Sequence, residues 1–96
     1  MEPTAVQAIP RSDFKVYVYF DDGKIVLYDV APLLNQGVFK KISTIKDFIE
    51  KCTILNGTLA WDIGGNYDIY NCIDIAPDTI YAIGVPVTDP LAEKVA

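Results

Sequence analysis

Thr58-Leu-Ala-Trp-Asp-Ile-Gly-Gly-Asn66, continued by Ile73-Asp-Ile-Ala-Pro-Asp-Thr-Ile-Tyr81, is the stretch against which the rest of the chain must pack. It carries the only Trp, a Gly-Gly break and an Asp-x-x-Pro-Asp sequence suited to starting a helix. Thr53-Ile-Leu55 precedes it, and Asn56-Gly57 between the two runs is the signature of a two-residue hairpin turn, whose central residues need positive φ. Trp61 then falls on the inner face of that hairpin as a large part of the core; the competing reading is a ligand-stacking platform. Residues 66–71 read as a loop with a short strand at Tyr67-Asp-Ile-Tyr70. Pro77 suits the first position of a helix and Asp78 its positive end, so Asp74 through Tyr81 reads as a helix start with Ile80 and Tyr81 turned inward.

Two ligand motifs fail at this stretch. Gly64-Gly65 lacks the Gly-x4-Gly-Lys-Ser/Thr or Gly-x-Gly-x-x-Gly context of a phosphate loop. Asp62, Asn66, Asp68 and Asp74 lack the spacing and terminal bidentate acid of a calcium loop.

Upstream, Phe14-Lys-Val-Tyr-Val-Tyr-Phe20 alternates β-branched and aromatic residues, with Phe14, Val16, Val18 and Phe20 on one face. Asp22-Gly23 marks the turn into a returning strand, Ile25-Val-Leu-Tyr-Asp-Val30. Tyr17, Tyr19 and Tyr28 are then expected on a water-facing side of the sheet, where large amphipathic rings suit a binding surface. Residues 4–9, between Pro3 and Pro10, read as an edge strand with imperfect alternation. Residues 32–37 read as a tight connection with a helical turn that Gly37 closes. Ser43 or Thr44 caps a helix from about Ile45 to Lys51, with Ile45, Phe48, Ile49 and Cys52 on its inner face.

The composition narrows function by exclusion. A chain of 96 residues holds one domain, here residues 1–84, with 85–96 as a tail in which Leu91 and Val95 are i, i+4 partners. The charge of -5 repels phosphate, which argues against direct nucleic-acid binding and against anionic membranes. There is no apolar run of membrane-spanning length and no secretion signal at Met1, so a cytoplasmic location is expected. Cys52 and Cys72 read as free thiols. With no His and two Cys, a structural zinc site lacks ligands. No metal or cofactor is expected, and no catalytic motif is present.

The ordered set Phe20-Asp-Asp-Gly23, Asp29-Val-Ala-Pro-Leu-Leu34, Gly37-Val-Phe39, Phe48, Gly57-Thr-Leu-Ala-Trp61 and Asp74-Ile-Ala-Pro-Asp-Thr-Ile-Tyr81 resembles the bacterial domain-of-unknown-function family numbered 2442. The resemblance covers about residues 3–84, and it rests on the order and spacing of motifs that are individually short. It implies a small α+β fold. Because some members carry a helix-turn-helix and others neighbour toxin-like proteins, it also implies a regulatory or antitoxin-like role. This chain has no room for a helix-turn-helix. It also departs from the family in a longer, Asp-, Asn- and Tyr-rich insertion at residues 62–72.

The expected fold is therefore α+β: a small, mostly antiparallel sheet of two hairpins plus an edge strand, one helix on a face and a short C-terminal helical turn. The expected function is a non-enzymatic protein-binding or regulatory module, a homo-oligomer with a basic, toxin-like partner that its acidic surface would suit. The alternative is a small-ligand-binding domain built on the insertion. Trp61, Tyr67, Tyr70, Tyr17, Tyr19 and Tyr28 are the candidate binding residues. An enzyme using Asp62, Asp68 and Asp74 is a third reading.

Overall fold

Alternating apolar residues make Lys15–Phe20 (β2) and Ile25–Asp29 (β3) an antiparallel hairpin in the computed structural model, which describes residues 3–68 and 70–91. In the turn, Gly23 takes φ +93° and Asp22 Oδ1 accepts the Lys24 N–H at 2.9 Å. Val16, Val18, Phe20 and Val26 are buried on the inner face. Phe14 lies before β2 in left-handed backbone, φ 62°, yet its ring still turns inward and meets Phe48 edge-on at 5.1 Å.

Ala5–Pro10 (β1) pairs antiparallel with β2 at the sheet edge, as expected. Its imperfect alternation has a cause. The register shifts between Ala5 and Gln7, so Ala5 is buried while Val6 is pushed into solvent. On the opposite side Val85–Pro86 (β7) pairs with β3, giving the order β1-β2-β3-β7. The folded unit therefore continues two residues beyond the expected boundary at Gly84; of the expected Leu91–Val95 pair, Val95 lies outside the described residues.

Both edges of this sheet are blunted. Arg11 N–H donates to the Lys15 carbonyl at 2.8 Å, and Val87 N–H to the Ile25 carbonyl at 3.0 Å. Inward and outward groups alternate along an antiparallel strand, so Pro10 and Pro86 occupy outward positions. There a missing N–H costs nothing within the sheet and denies an incoming strand a donor.

Two 3-10 turns, Ala31–Leu33 and Gly37–Ile42, connect β3 to the helix; Gly37, expected to close the first, opens the second at φ +49°. Thr44 Oγ1 accepts the Asp47 N–H at 3.2 Å and caps Ile45–Lys51 (α1). Of the four residues expected inward, Phe48 alone is fully buried; Cys52 is half-buried, and Ile45 and Ile49 stay exposed. A helix of two turns presents too short a face to bury more.

Cys52–Leu55 (β4) and Thr58–Trp61 (β5) form the second hairpin, with Asn56 at φ 52° and Gly57 at φ 71° as the turn requires. The expected helix start at Asp74 is wrong. Ile73–Ile75 is a strand (β6) on β5, and Pro77–Ile83 (α2) begins only at the proline. Alternation buries Ile73 and Ile75 and exposes Asp74, and the residue before a proline is driven out of the α region: Ala76 has ψ 132°. Nor do Tyr67, Asp68 and Tyr70 form a strand; Tyr67 sits in left-handed backbone at φ 56°.

The fold is α+β, and its two hairpins lie in different antiparallel sheets, β1-β2-β3-β7 and β4-β5-β6. A hydrogen bond from Ala5 N–H to the Gly57 carbonyl, 2.8 Å, links them. The core contains Val16, Val18, Leu59, Trp61, Phe48 and Ile80. Gly84 is buried where α2 turns into β7; a Cβ there would stand 2.7 Å from both the Ile80 carbonyl oxygen and Val26 Cγ2. Among the described residues no helix is long and apolar enough to cross a membrane.

Candidate functional site

The six candidate aromatic residues fall in three separate places. Trp61 is fully buried: its Nε1–H donates to the Phe48 carbonyl at 3.0 Å, and its ring lies 5.5 Å from that of Phe48. It has no face to offer a ligand, which corrects the platform reading. Tyr28 is corrected as well. It pairs with Val16 across the hairpin and so lies on the inner face, 8% exposed, where burial first and the Asp29 charge second raise its hydroxyl above the usual tyrosine range.

Tyr17 and Tyr19 do face outward, and their hydroxyls are engaged. Arg11 Nη1–H donates to Tyr17 Oη at 3.3 Å, with the guanidinium 5.6 Å from the ring centre. Tyr19 O–H donates to Asp89 Oδ1 at 2.6 Å; burial, then this carboxylate, push its pKa up to about 12. Tyr67 and Tyr70 are exposed in the 62–72 loop.

Asp62 organises that loop. Its side chain is buried, Oδ1 accepting the Gly65 N–H at 3.1 Å and Oδ2 the Tyr67 N–H at 3.0 Å. Asp68 Oδ1 accepts the Tyr70 N–H at 2.9 Å, and Asp74 points to solvent from β6. The acids of the enzyme reading are thus two loop braces and one surface group. Beside the loop lies a hollow of about 280 Å³, bounded by Glu50, Lys51, Cys52, Asp62, Gly64 and Tyr67. Among the described residues no three His, Cys, Asp or Glu side chains are grouped to hold a metal ion.

Neither cysteine is in a disulfide. Burial pushes the Cys52 thiol up to about 12. Cys72 is also raised, by burial and then by the Asp74, Asp62 and Asp68 charges. Both therefore stay protonated at neutral pH, where the thiolate is the nucleophile.

Two features escape a reading of the sequence. The register aligns Ile9, Tyr17, Leu27 and Val85 across all four strands of the first sheet, on its outer face. This row runs into a groove of about 310 Å³ lined by Leu27, Asp29, Pro32, Leu33, Ile83 and Val85. Ile83 and Val85 are 65% and 62% exposed. Ile83 lies beyond the helix start read at Asp74 through Tyr81, and Val85 lies beyond the expected boundary at Gly84; only the pairing of β7 with β3 reveals the surface.

The second is a tie between β2–β3 and α2. Tyr81 O–H donates to Asp22 Oδ2 at 2.6 Å, while Lys24 Nζ donates to the Tyr81 carbonyl at 2.9 Å and lies 3.9 Å from the ring centre. The Tyr81 hydroxyl, then the Lys24 N–H, hold the Asp22 carboxyl below its usual range. Asp22 and Tyr81 come from the first and last of the stretches that carry the family resemblance.

Comparison with curated proteins and with solved structures gives no match in either. A family model described as a protein of unknown function (DUF2442) matches residues 5–86, from the first residue of β1 to the last of β7, and this chain belongs to that family.

Proposed function

We propose that the domain is a non-enzymatic protein-binding module of a regulatory, antitoxin-like kind, which acts in the bacterial cytoplasm and self-associates through the outer face of its four-stranded sheet. The observation that carries this is the cross-strand row Ile9, Tyr17, Leu27 and Val85, which leaves large apolar side chains half-exposed or exposed on one surface. Contiguous apolar surface of this kind marks interaction sites, and tyrosine is enriched in them. With both sheet edges blunted by proline, a partner meets the face and its side chains rather than extending the sheet. The charge of -5 favours basic partners.

Sedimentation of the purified chain over a range of concentrations tests the self-association. The expected result is a dimer that Ile9→Lys converts to monomer, while Val6→Lys, on the exposed bulge, leaves it intact. A wild-type chain that stays monomeric throughout would sink this reading.

A second reading, a small-ligand site at the 62–72 insertion, is favoured by the hollow beside exposed Tyr67. It requires a metabolite that raises the melting temperature of the wild-type chain but not of Tyr67→Ala.

A further inference from the structure

The groove at the β3–β7 corner differs in chemistry from the flat row that leads into it. Its lining residues are apolar apart from Asp29 and Tyr28, and the Tyr28 side chain lies on the inner face of the sheet. Asp29 Oδ1 accepts the Ala31 N–H at 3.0 Å, and Asp29 enters no ion pair among the described residues. Ile83, on the groove wall, is the last residue of α2, whose last turn holds no basic residue. That end is nonetheless compensated, because Gly84 N–H donates to the Ile80 carbonyl at 2.8 Å and the Lys24 ammonium donates to the Tyr81 carbonyl, so the negative charge beside the groove is the Asp29 carboxylate. Lys24, at that end of the molecule, is held on the Tyr81 carbonyl and ring. The groove is thus an apolar trough with one carboxylate, Asp29, on its rim.

A second copy does not suit it. A two-fold contact sets the same patch against itself. Two facing troughs fill neither, and the arrangement brings Asp29 towards Asp29. An added strand does not suit it either, because Pro86 removes the outward donor of β7.

We propose that the groove takes a short aliphatic segment of a different protein, flanked by Lys or Arg and held by its side chains. This rests on the protein-binding reading above and names the class of partner. The aliphatic residues cover Leu27, Leu33, Ile83 and Val85, so the segment competes with a second copy for Leu27 and Val85, and the flanking cation pairs with Asp29.

Panning a phage-displayed library of random dodecapeptides on the full chain tests it. The expected winners carry adjacent aliphatic residues beside Lys or Arg. A synthetic winner should bind Ile83→Ser about tenfold more weakly than wild type. Against Asp29→Asn, replacing its Lys by Gln should no longer cost affinity. Both changes are at exposed positions, and a circular dichroism melt checks that each variant is folded; Val85→Ser repeats the test at a second exposed wall residue.

Winners flanked by acids, or without charge, would overturn the proposed chemistry of the partner. Winners that bind Ile83→Ser and Val85→Ser as well as wild type, or no winners at all, would overturn the groove as the site. A wild-type dimer that Ile83→Ser dissociates and Ile9→Lys does not would seat a second copy in the groove and overturn the proposal. Absence of self-association would sink the earlier dimer reading while the peptide results still decide this one.

Discussion

Asp62 shows how one side chain can hold a loop without taking part in chemistry. A buried carboxylate is costly unless its oxygens are hydrogen-bonded, and here each oxygen accepts a backbone N–H, from Gly65 and from Tyr67. The second of these bonds fixes Tyr67 in its left-handed conformation. Asp62→Asn keeps the shape but offers one acceptor oxygen, and turns an NH2 towards a backbone donor. The loss should be about 1–3 kcal/mol, the cost of leaving a buried donor unsatisfied. Hydrogen exchange read by NMR should show the Gly65 and Tyr67 amides exchanging faster while those of β5 and β6 keep their protection. Unchanged exchange at both amides would mean that something other than Asp62 holds the loop. The sequence hints at this role, since Asp commonly bonds backbone N–H groups a few residues on. In a stretch rich in Asp and Asn, however, nothing local picks out which carboxylate is buried.

Among the elements, those with a local cause were legible. Asp22-Gly23 and Asn56-Gly57 announce their hairpins, because the residues that make each turn are adjacent in sequence. Thr44 and the spacing of its apolar residues fix α1. The face of Tyr28 was not legible, since Ile25 and Leu27 are as apolar as Val26 and Tyr28; only the register with β2 decides which pair is buried. β6 was missed because three residues carry too little alternation to outweigh a helix signal, and its partner β5 lies across the long loop. Gly57 tests the local kind of cause. It sits at φ +71°, and a Cβ there would stand 2.9 Å from Thr4 Cγ2. Gly57→Ala should cost about 1–2 kcal/mol for the left-handed backbone alone, with the Thr4 contact adding to it. Thr4→Ser removes the crowded methyl, so the double variant should melt at a higher temperature than the sum of the single changes predicts. Strict additivity would show that the two positions do not touch.

At the scale of the whole molecule, tyrosine hydroxyls tie together segments distant in sequence. Tyr81 joins α2 to the first hairpin through Asp22, and Tyr19 joins β2 to the segment beyond β7 through Asp89. Both hydroxyls bind their protons more tightly in the fold, Tyr19 raised from 10.0 to about 12 and Tyr81 raised above the same starting value, and burial raises Tyr28 as well. A raised folded pKa contributes stability that is complete below the unfolded value and is lost as pH rises through the folded one. Asp22 has the opposite sign: its folded pKa lies below 3.8, so its contribution is complete above that value and is lost as pH falls through the lower one. The Cys52 and Cys72 thiols, raised above 9.0, carry the same sign as the tyrosines. The urea midpoint should therefore hold level from neutral pH to about 8 and fall above about 9, with the Cys52 and Tyr19 parts of the loss extending towards about 12. Tyr19→Phe separates the hydroxyl from the ring. At neutral pH it should lower stability by about 0.5–1.5 kcal/mol, the net worth of one hydrogen bond. Above pH 10 its midpoint should fall less steeply than that of wild type, because the variant no longer has this proton to lose. Parallel curves would mean that Tyr19 titrates alike in the folded and unfolded chain, and that the contact with Asp89 does not hold the segment after β7 against the sheet.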